Sequence, residues 1–221
     1  MLSMSTEQAT PRILVVDDCT ITCNLLTVIL TTEGYHVTAA SDGTSGLAAA
    51  RDLVHDLAIV DLHLPDLSGI ELAGLLQPEI PFLALTIDRS PAAIQACIDK
   101  GALGYLVKPL DAETFLRHVH VALERGREQR NLRRALRDNH IVNKALGVLM
   151  GFLQLPEQRA FEVLVARASA HNVKAVTLAG DILAASETLS RAVLENRPGV
   201  RTREHMREAR AFLNGFRSAH R

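Results

Sequence analysis

The sequence predicts an α/β fold for the first half of the chain, a doubly wound parallel sheet of five strands, and an all-α second half. Across residues 12–120, strand and helix signals alternate in strict order, which is typical of chains that build parallel sheets. The strand segments are continuous apolar runs, so helices are expected to cover both faces of the sheet. After Phe115 the helical pattern continues and no further strand signal follows.

The predicted strands and helices follow one another with clear boundaries. The strands are residues 13–16, 36–40, 57–60, 82–85 and 104–107. The helices between them are residues 20–32, 44–54, 68–76 and 91–100, and a fifth begins near Glu113. The first helix stops before Gly34, and its apolar face is predicted to be Leu25, Val28 and Ile29. Ser90 caps the fourth helix, with Pro91 at its first position, and Asp111 caps the fifth.

Polar side chains stand directly after four of these strands. They are Asp17 and Asp18, Asp61, Thr86 and Lys108. The carboxyl ends of parallel strands meet at one edge of a sheet, where ligands bind. Three carboxylates in one pocket repel each other unless a cation neutralises them, and an all-oxygen cluster is typical of a Mg²⁺ site. Taken alone, Asp17 and Asp18 are as well explained as caps of the next helix, but the joint arrangement favours a site.

This predicted pocket is suited to holding a phosphoryl group on a carboxylate. An aspartate can be the covalent acceptor, while the metal and Lys108 offset the charge of the transferring group. Asp61 is the expected acceptor because it stands alone at the end of the central strand, and Thr86 offers a hydroxyl. A metabolic enzyme is a weak interpretation, since no glycine-rich nucleotide loop follows the first strand.

A long helix is predicted to leave the first domain and to run to residue 153. No proline occurs between Pro109 and Pro156, and Gly126 is the expected weak point. Apolar residues recur at spacings of three and four, and they are Leu132, Ala135, Leu136, Val142, Leu146, Leu149 and Leu153. This pattern predicts a parallel coiled coil, with an amphipathic helix packed inside one chain as the alternative. Pro156 opens a second helix, residues 176–194 form a third, and a basic helix over 202–216 follows a break at 196–199.

The net charge of −1 is the sum of an acidic N-terminal half and a basic C-terminal half. Residues 1–120 hold 6 Lys and Arg against 15 Asp and Glu, whereas residues 121–221 hold 18 against 10. This split predicts two modules with different partners, and nucleic acid is a candidate partner of the second. No apolar run approaches the ~18 residues of a membrane span, so no membrane contact is expected. The cysteines are expected to be reduced thiols in a cytoplasmic protein, and they are Cys19, Cys23 and Cys97.

Residues 12 to about 120 resemble the receiver domain of bacterial two-component response regulators. The matching positions are Asp17-Asp18, Asp61, the loop from Leu64-Pro65 to Gly69, Thr86, Tyr105 and Lys108-Pro109. The resemblance implies the flavodoxin-like version of the doubly wound sheet. The stretch between Asp61 and Thr86 is a few residues short for the family, which should trim the third helix and its loop.

The resemblance also implies a role for each matching residue. Asp61 would be the phosphoacceptor, and a sensor histidine kinase would be the donor. The implied ligands of Mg²⁺ are Asp17, Asp18, Asp61 and the backbone carbonyl of His63. Thr86 would be the switch hydroxyl, and Tyr105 would change its burial when Thr86 moves. Lys108 would contact the phosphate and precede a cis peptide bond.

Residues from about 131 to 190 resemble the ANTAR domain, an RNA-binding output module of transcription antiterminators. The matching positions are Ala145, Gly147, Val148, Leu149, Met150, Ala160, Phe161, Leu164, Leu178, Ala179 and Ile182. These positions are expected to be mostly core, and Phe152 and Phe161 are also interpreted as structural. The candidate RNA contacts are Lys144, Arg167, Arg133, Arg134 and Arg137. Leu146 departs from the family, because many members have lysine there.

Together these features predict a phosphorylation-controlled response regulator that acts in transcription antitermination. The expected segments are a disordered N-terminus (1–11), a receiver domain (12–121), a coiled-coil linker (122–143), an ANTAR-like domain (131–194) and a basic tail (195–221). A homodimer joined by the coiled coil would bind tandem RNA hairpins. The chain is not expected to be an enzyme, beyond assisting its own phosphorylation and dephosphorylation. The alternative is a phospho-gated protein–protein interaction module whose output domain does not bind RNA, and a DNA reader is disfavoured because no helix-turn-helix is evident.

Overall fold

The chain divides into two compact units, Met1–Asn131 and Leu132–Arg221. The structure is a computed structural model, and it describes residues 10–194 and 200–218. Disorder was predicted for residues 1–11, and residues 1–9 of that segment lie outside the described residues, as does the chain break predicted at residues 196–199. No described helix is both long enough and apolar enough to cross a lipid bilayer.

The N-terminal unit is a five-stranded parallel sheet with the strand order β2-β1-β3-β4-β5. Its elements are β1 (Arg12–Val16), α1 (Thr20–Thr32), β2 (His36–Ala40), α2 (Gly43–Asp52), β3 (Leu57–Asp61), α3 (Gly69–Leu76), β4 (Phe82–Thr86), α4 (Pro91–Asp99), β5 (Gly104–Val107) and α5 (Ala112–Leu153). This architecture confirms the predicted fold class, and it places β3 in the centre of the sheet.

Each face of the sheet carries its own hydrophobic core. Successive residues of a strand point to opposite faces, so Ile13 and Leu14 of β1 enter different cores. The first core includes Ile59, Leu83, Phe115 and Val119, and the second includes Val60, Leu72 and Phe82. Both faces are therefore covered, as the continuous apolar runs predict.

The buried face of α1 differs from the predicted one. Cys23, Leu26 and Leu30 are buried, whereas the predicted core residues Leu25 and Val28 are 54% and 61% exposed. The helix carries two apolar stripes one residue apart, and spacing alone does not distinguish them. The prediction was wrong for Leu25 and Val28. Ile29, the third predicted residue, is half-buried against the first core.

The long helix α5 is continuous through the predicted weak point at Gly126. A Cβ atom at Gly126 would lie 2.8 Å from Cγ of Pro81, so glycine here permits a close approach between helix and sheet. Leu132 and Leu136 of the predicted coiled-coil pattern are 63% and 61% exposed. The later residues of that pattern pack inside the C-terminal unit, and they are Val142, Leu146, Leu149 and Leu153. The alternative prediction therefore holds for this later part.

The C-terminal unit packs the end of α5 with three further helices, α6 (Glu157–Ala170), α7 (Ala175–Leu194) and α8 (Val200–Ser218). The predicted basic helix is thus present as α8. It contributes Ala209, Leu213 and Phe216 to the core of this unit. The exposed face of α6 corrects one prediction. Phe161, interpreted as structural, is 48% exposed, because the buried face of α6 follows Ala160, Leu164 and Ala168.

We expect Phe216→Ala to destabilise the C-terminal unit by about 3–5 kcal/mol, because it removes a buried ring and leaves a cavity. Phe161→Ala is the matched control, since its ring is 48% exposed, and it should cost about 1 kcal/mol or less. Hydrogen exchange of the α6 and α7 amides in the full chain measures the difference. Equal protection in the two variants would show that α8 is not part of this core.

Candidate functional site

Three carboxylates meet at the carboxyl edge of the central strands. Asp17 and Asp18 follow β1, and Asp61 ends β3. The two strands are parallel neighbours with Val16 paired to Val60, so the sheet itself sets Asp17 beside Asp61. One oxygen of each carboxylate lies within 4.8 Å of the others. Asp17 and Asp61 are buried and Asp18 is exposed, so the cluster opens to solvent on one side.

Lys108 reaches this cluster from the end of β5. Its Nζ lies 2.7 Å from Oδ2 of Asp17 and 2.5 Å from Oδ2 of Asp61, and it donates a hydrogen bond to each. The backbone N–H of Lys108 donates to the carbonyl of Thr86, which ties the start of this segment to β4. The predicted cis peptide bond between Lys108 and Pro109 is present.

In this cluster, burial and hydrogen bonding shift the pKa values of Asp17 and Lys108 in opposite directions. Burial raises the pKa of Asp17, despite the hydrogen bonds that its carboxylate receives from Lys108 and from the backbone of Cys19. Burial alone would lower the pKa of Lys108, but its hydrogen bonds to Asp17 and Asp61 outweigh burial and raise it. One ammonium therefore faces three carboxylates, and the cluster keeps an excess of negative charge. All its free donors are oxygens, which is the donor set of a hard divalent cation.

The residue two positions after Asp61 also lies at the site. The backbone N–H of His63 donates to Oδ1 of Asp61 at 3.0 Å. Nδ1 of the His63 ring lies 4.0 Å from the same oxygen and 3.5 Å from Oγ1 of Thr86. The contacts of the His63 side chain were not predicted, because the family resemblance implies a role only for its backbone carbonyl. The role of that carbonyl as a metal ligand stays a prediction.

The loop between β3 and α3 is fixed at two points, at Gly69 where it ends and at Asp66 near its tip. A Cβ atom at Gly69 would lie 1.9 Å from the carbonyl oxygen of Asp61, so only glycine fits where the loop folds back over the strand end. At the tip, the carboxylate of Asp66 accepts hydrogen bonds from the backbone of Gly43 and Thr44 and from the Thr44 hydroxyl, at 2.6–2.8 Å. The Thr44 hydroxyl is the main cause of the lowered pKa of Asp66. Asp66 was missed because its partners are 22 and 23 residues away in sequence.

Thr86 and Tyr105 share a partner in the loop after β4. Thr86 is fully buried, and its Oγ1 accepts a hydrogen bond of 3.0 Å from the backbone N–H of Asp88. The hydroxyl of half-buried Tyr105 donates to the carbonyl of the same residue, and burial raises the pKa of Tyr105. The backbone of Asp88 thus connects the two side chains, a link that the sequence could not indicate.

The candidate RNA contacts of the C-terminal unit have different surroundings. Arg133, Arg134, Arg137 and Lys144 have exposed side chains on the part of α5 that belongs to this unit. Arg167 is half-buried instead, with its guanidinium carbon 5.3 Å from the centroid of the Phe216 ring, a cation–π contact. Leu146, the expected departure from the family, is part of the core.

Two families match the chain. Residues 13–120 match the response regulator receiver domain, and residues 130–183 match the ANTAR domain. The first match contains all the site residues described at the sheet edge. The second begins inside α5 and ends inside α7, so α8 lies beyond it.

Known proteins resemble the N-terminal part of the chain. The DNA-binding response regulator MtrA of Mycobacterium tuberculosis is 32% identical over 120 residues, which cover 53% of this chain and 53% of MtrA. The transcriptional regulatory protein ZraR of Salmonella typhimurium is 36% identical over 119 residues, 52% of this chain and 27% of ZraR. The chain thus matches about half the length of MtrA and less of ZraR.

Solved receiver structures show the same fold. A CheY-like receiver domain protein from Methanospirillum hungatei superposes with a TM-score of 0.53 at 29% identity, covering 55% of this chain and 99% of that one. The chemotaxis protein CheY4 of Vibrio cholerae superposes with a TM-score of 0.50 at 32% identity, covering 52% of this chain and 99% of that one.

We expect Mg²⁺ to raise the Tm of the chain, because a cation that binds only the folded cluster stabilises it. Asp18→Asn removes one carboxylate, so the Mg²⁺ concentration needed for the same rise in Tm should increase about tenfold or more. Asp52→Asn is the control, since Asp52 is an exposed carboxylate at the end of α2, away from the cluster residues in sequence. Equal Mg²⁺ responses in both variants would contradict a metal site at Asp18.

Proposed function

Because the chain belongs to the response regulators, with a receiver domain over residues 13–120 followed by an ANTAR domain over residues 130–183, we propose that Asp61 accepts a phosphoryl group from a sensor histidine kinase. We further propose that the ANTAR domain binds tandem RNA hairpins and brings about transcription antitermination. The observation that carries the first step is the contact of Lys108 with the carboxylates of Asp17 and Asp61, inside a cluster of three acidic residues.

In the proposed transfer, one carboxylate oxygen of Asp61 attacks the phosphorus of a phosphohistidine. The new P–O bond forms as the P–N bond breaks, and the kinase histidine keeps the electron pair of the P–N bond and takes up a proton. Lys108 moves from its contact with Asp61 to hold an oxygen of the phosphoryl group. The proposed metal ligands are Asp17, Asp18, Asp61 and the carbonyl of His63. The chemistry supplied by bound Mg²⁺ is neutralisation of charge on the phosphoryl oxygens.

The proposed switch begins with the charge added at Asp61. The Thr86 hydroxyl, whose oxygen accepts from the backbone of Asp88, is the nearest hydroxyl on the next strand and can donate to a phosphoryl oxygen. Moving Thr86 removes a hydrogen bond from Asp88, whose carbonyl also receives the Tyr105 hydroxyl. The shared partner supports a coupled movement of Thr86 and Tyr105, which changes the surface beside α5.

In the proposed output, phosphorylation favours a homodimer through α5. The exposure of Leu132 and Leu136 supports this, because the two leucines lie one turn apart on the helix and are each more than 60% exposed. The exposed basic side chains of the same helix support contact with RNA phosphates, and they are Arg133, Arg134, Arg137 and Lys144. An exposed aromatic ring, Phe161, suits stacking on an unpaired base.

A second candidate function is a phospho-gated protein–protein interaction module. It is favoured by the surroundings of two residues of the ANTAR domain. Leu146 is an uncharged residue buried in the core. The guanidinium of Arg167 lies against the ring of Phe216 in α8. The exposed face of α6 also carries Phe161 and Val165, which suit a protein partner.

For the first step, we expect an acyl-phosphate donor with Mg²⁺ to modify the wild-type chain once, and Asp61→Asn not at all. Mass spectrometry measures the modification. Beryllofluoride with Mg²⁺, a mimic of the phosphoryl group, should strengthen self-association about fivefold or more in sedimentation experiments. An unmodified Asp61 would refute the receiver chemistry. A modified chain whose association is unchanged would refute only the dimer.

For the output, we expect the full chain to crosslink to cellular RNA, and the recovered sequences to contain paired hairpins. Binding of such a transcript should weaken steeply with salt, and Arg134→Gln or Arg137→Gln should each reduce the salt slope by about 1. Arg159→Gln is the control, because Arg159 pairs with Glu162 on α6. Recovery of no hairpin would favour the protein-partner function.

A further inference from the structure

Helix α5 contacts the sheet at the edge opposite the cluster of Asp17, Asp18 and Asp61. Nη1 of Arg130 donates to the carbonyl of Asp56 at 2.8 Å, and Nη2 donates to Oδ1 of the same residue at 3.0 Å. A single guanidinium thus holds one residue at two points, a geometry that the rigid planar fork of arginine favours. The contact lies wholly within the N-terminal unit.

Asp56 is itself fixed to the sheet. Its Oδ2 accepts a hydrogen bond of 2.9 Å from the backbone N–H of Arg12, and its own N–H donates to the carbonyl of Arg12 at 2.7 Å. The carboxylate therefore bridges the first residue of β1 and the side chain of Arg130. Because Asp56 has so little freedom, Arg130 is held relative to the sheet and not merely paired at the surface.

A second contact lies one helical turn earlier. Gly126 approaches the ring of Pro81 so closely that a Cβ atom would lie 2.8 Å from Cγ of the proline. At Gly151 on the same helix, an added Cβ would meet no neighbour within 4 Å. The closeness at Gly126 is therefore a local feature of this contact and not a general property of glycines in α5.

The two contacts stand at the starts of two of the strands that carry the site. Asp56 directly precedes β3, which ends at Asp61, and Pro81 directly precedes β4, which ends at Thr86. The backbone N–H of Ala58 donates to the carbonyl of Pro81, so the two starts are also bonded to each other. Each of these strands is five residues long and buried throughout. A length of about 16 Å of strand backbone therefore joins each α5 contact to the site residue at the other end of the same strand.

We propose that Arg130 with Asp56, and Gly126 with Pro81, form a coupling clamp through which the state of Asp61 and Thr86 sets how α5 is held. Arg130 is then a positioning residue and not an RNA contact, although it lies in the arginine-rich part of α5. The inference rests on the proposed function, because it requires that phosphorylation changes self-association through α5. A half-exposed ion pair adds little stability, so its main effect is on position.

The clamp is tested in the full chain with two lesions of different chemistry. Arg130→Gln removes the guanidinium, and Gly126→Ala adds a methyl group against Pro81 without changing any charge. Gly151→Ala is the matched control, since it adds the same methyl group to the same helix in open space. Sedimentation measures the dimer Kd of each variant with and without beryllofluoride and Mg²⁺.

The wild-type chain and Gly151→Ala are expected to show a Kd ratio of about five or more between the two conditions. In Arg130→Gln and in Gly126→Ala the Kd ratio should fall to about one. The double variant should have the same ratio as the single variants, because both substitutions disrupt the same clamp. Mass spectrometry should still find Asp61 modified in both variants by an acyl-phosphate donor.

The failures of the two proposals are distinguishable. A wild-type chain whose Kd ignores beryllofluoride overturns the proposed dimer, and the clamp with it. A wild-type chain that responds, together with Arg130→Gln and Gly126→Ala that respond equally, overturns only the clamp. If Arg130→Gln loses affinity for a crosslinked hairpin transcript while Gly126→Ala keeps it, Arg130 is an RNA contact and its assignment as a positioning residue is wrong.

Discussion

The constraint on which the rest of the structure depends is the convergence of acidic side chains at the end of two parallel strands. The hydrogen bonds between β1 and β3 fix the backbone of Asp17 beside that of Asp61, so the two residues cannot move apart without breaking the sheet. Burial disfavours the charged form of Asp17 and raises its pKa, although Lys108 bonds to both carboxylates. The cluster is therefore built with a deficit of positive charge. A cation or a rearrangement of Lys108 changes its energy strongly, which is what a switch requires.

The sequence identifies this edge well because the information is local. Each strand is an uninterrupted apolar run, so its end is evident, and parallel topology then brings Asp61, Thr86 and Lys108 together. Asp66 and Asp88 were missed for a different reason. Asp66 bonds to residues 22 and 23 positions away, and Asp88 acts through backbone atoms that every residue has. Such contacts depend on the folded path of loops, which periodicity does not encode.

In the C-terminal unit, the surroundings of Arg167 and Phe161 differ from what their residue types suggest. Arg167 is an evident surface cation when α6 is considered alone, but Phe216 of α8 lies against it. Phe161 is an evident core residue by type, but the buried stripe of α6 passes through Leu164 and leaves Phe161 exposed. Arg167 is therefore half-buried and Phe161 is exposed, which is the reverse of what their residue types suggest. In the proposed function, the exposed basic side chains of α5 and the ring of Phe161 are therefore better placed to meet a partner than Arg167.

In the proposed function, different arginines of α5 serve different tasks. Arg130 faces Asp56 and is occupied by the receiver, whereas Arg134 and Arg137 lie further on with exposed side chains. Two copies of so basic a helix repel each other when they pair, and the repulsion is reduced by salt or by a polyanion between them. In the proposed function, RNA phosphates supply that compensation. Dimerisation and RNA binding are then linked, each strengthening the other by the same factor.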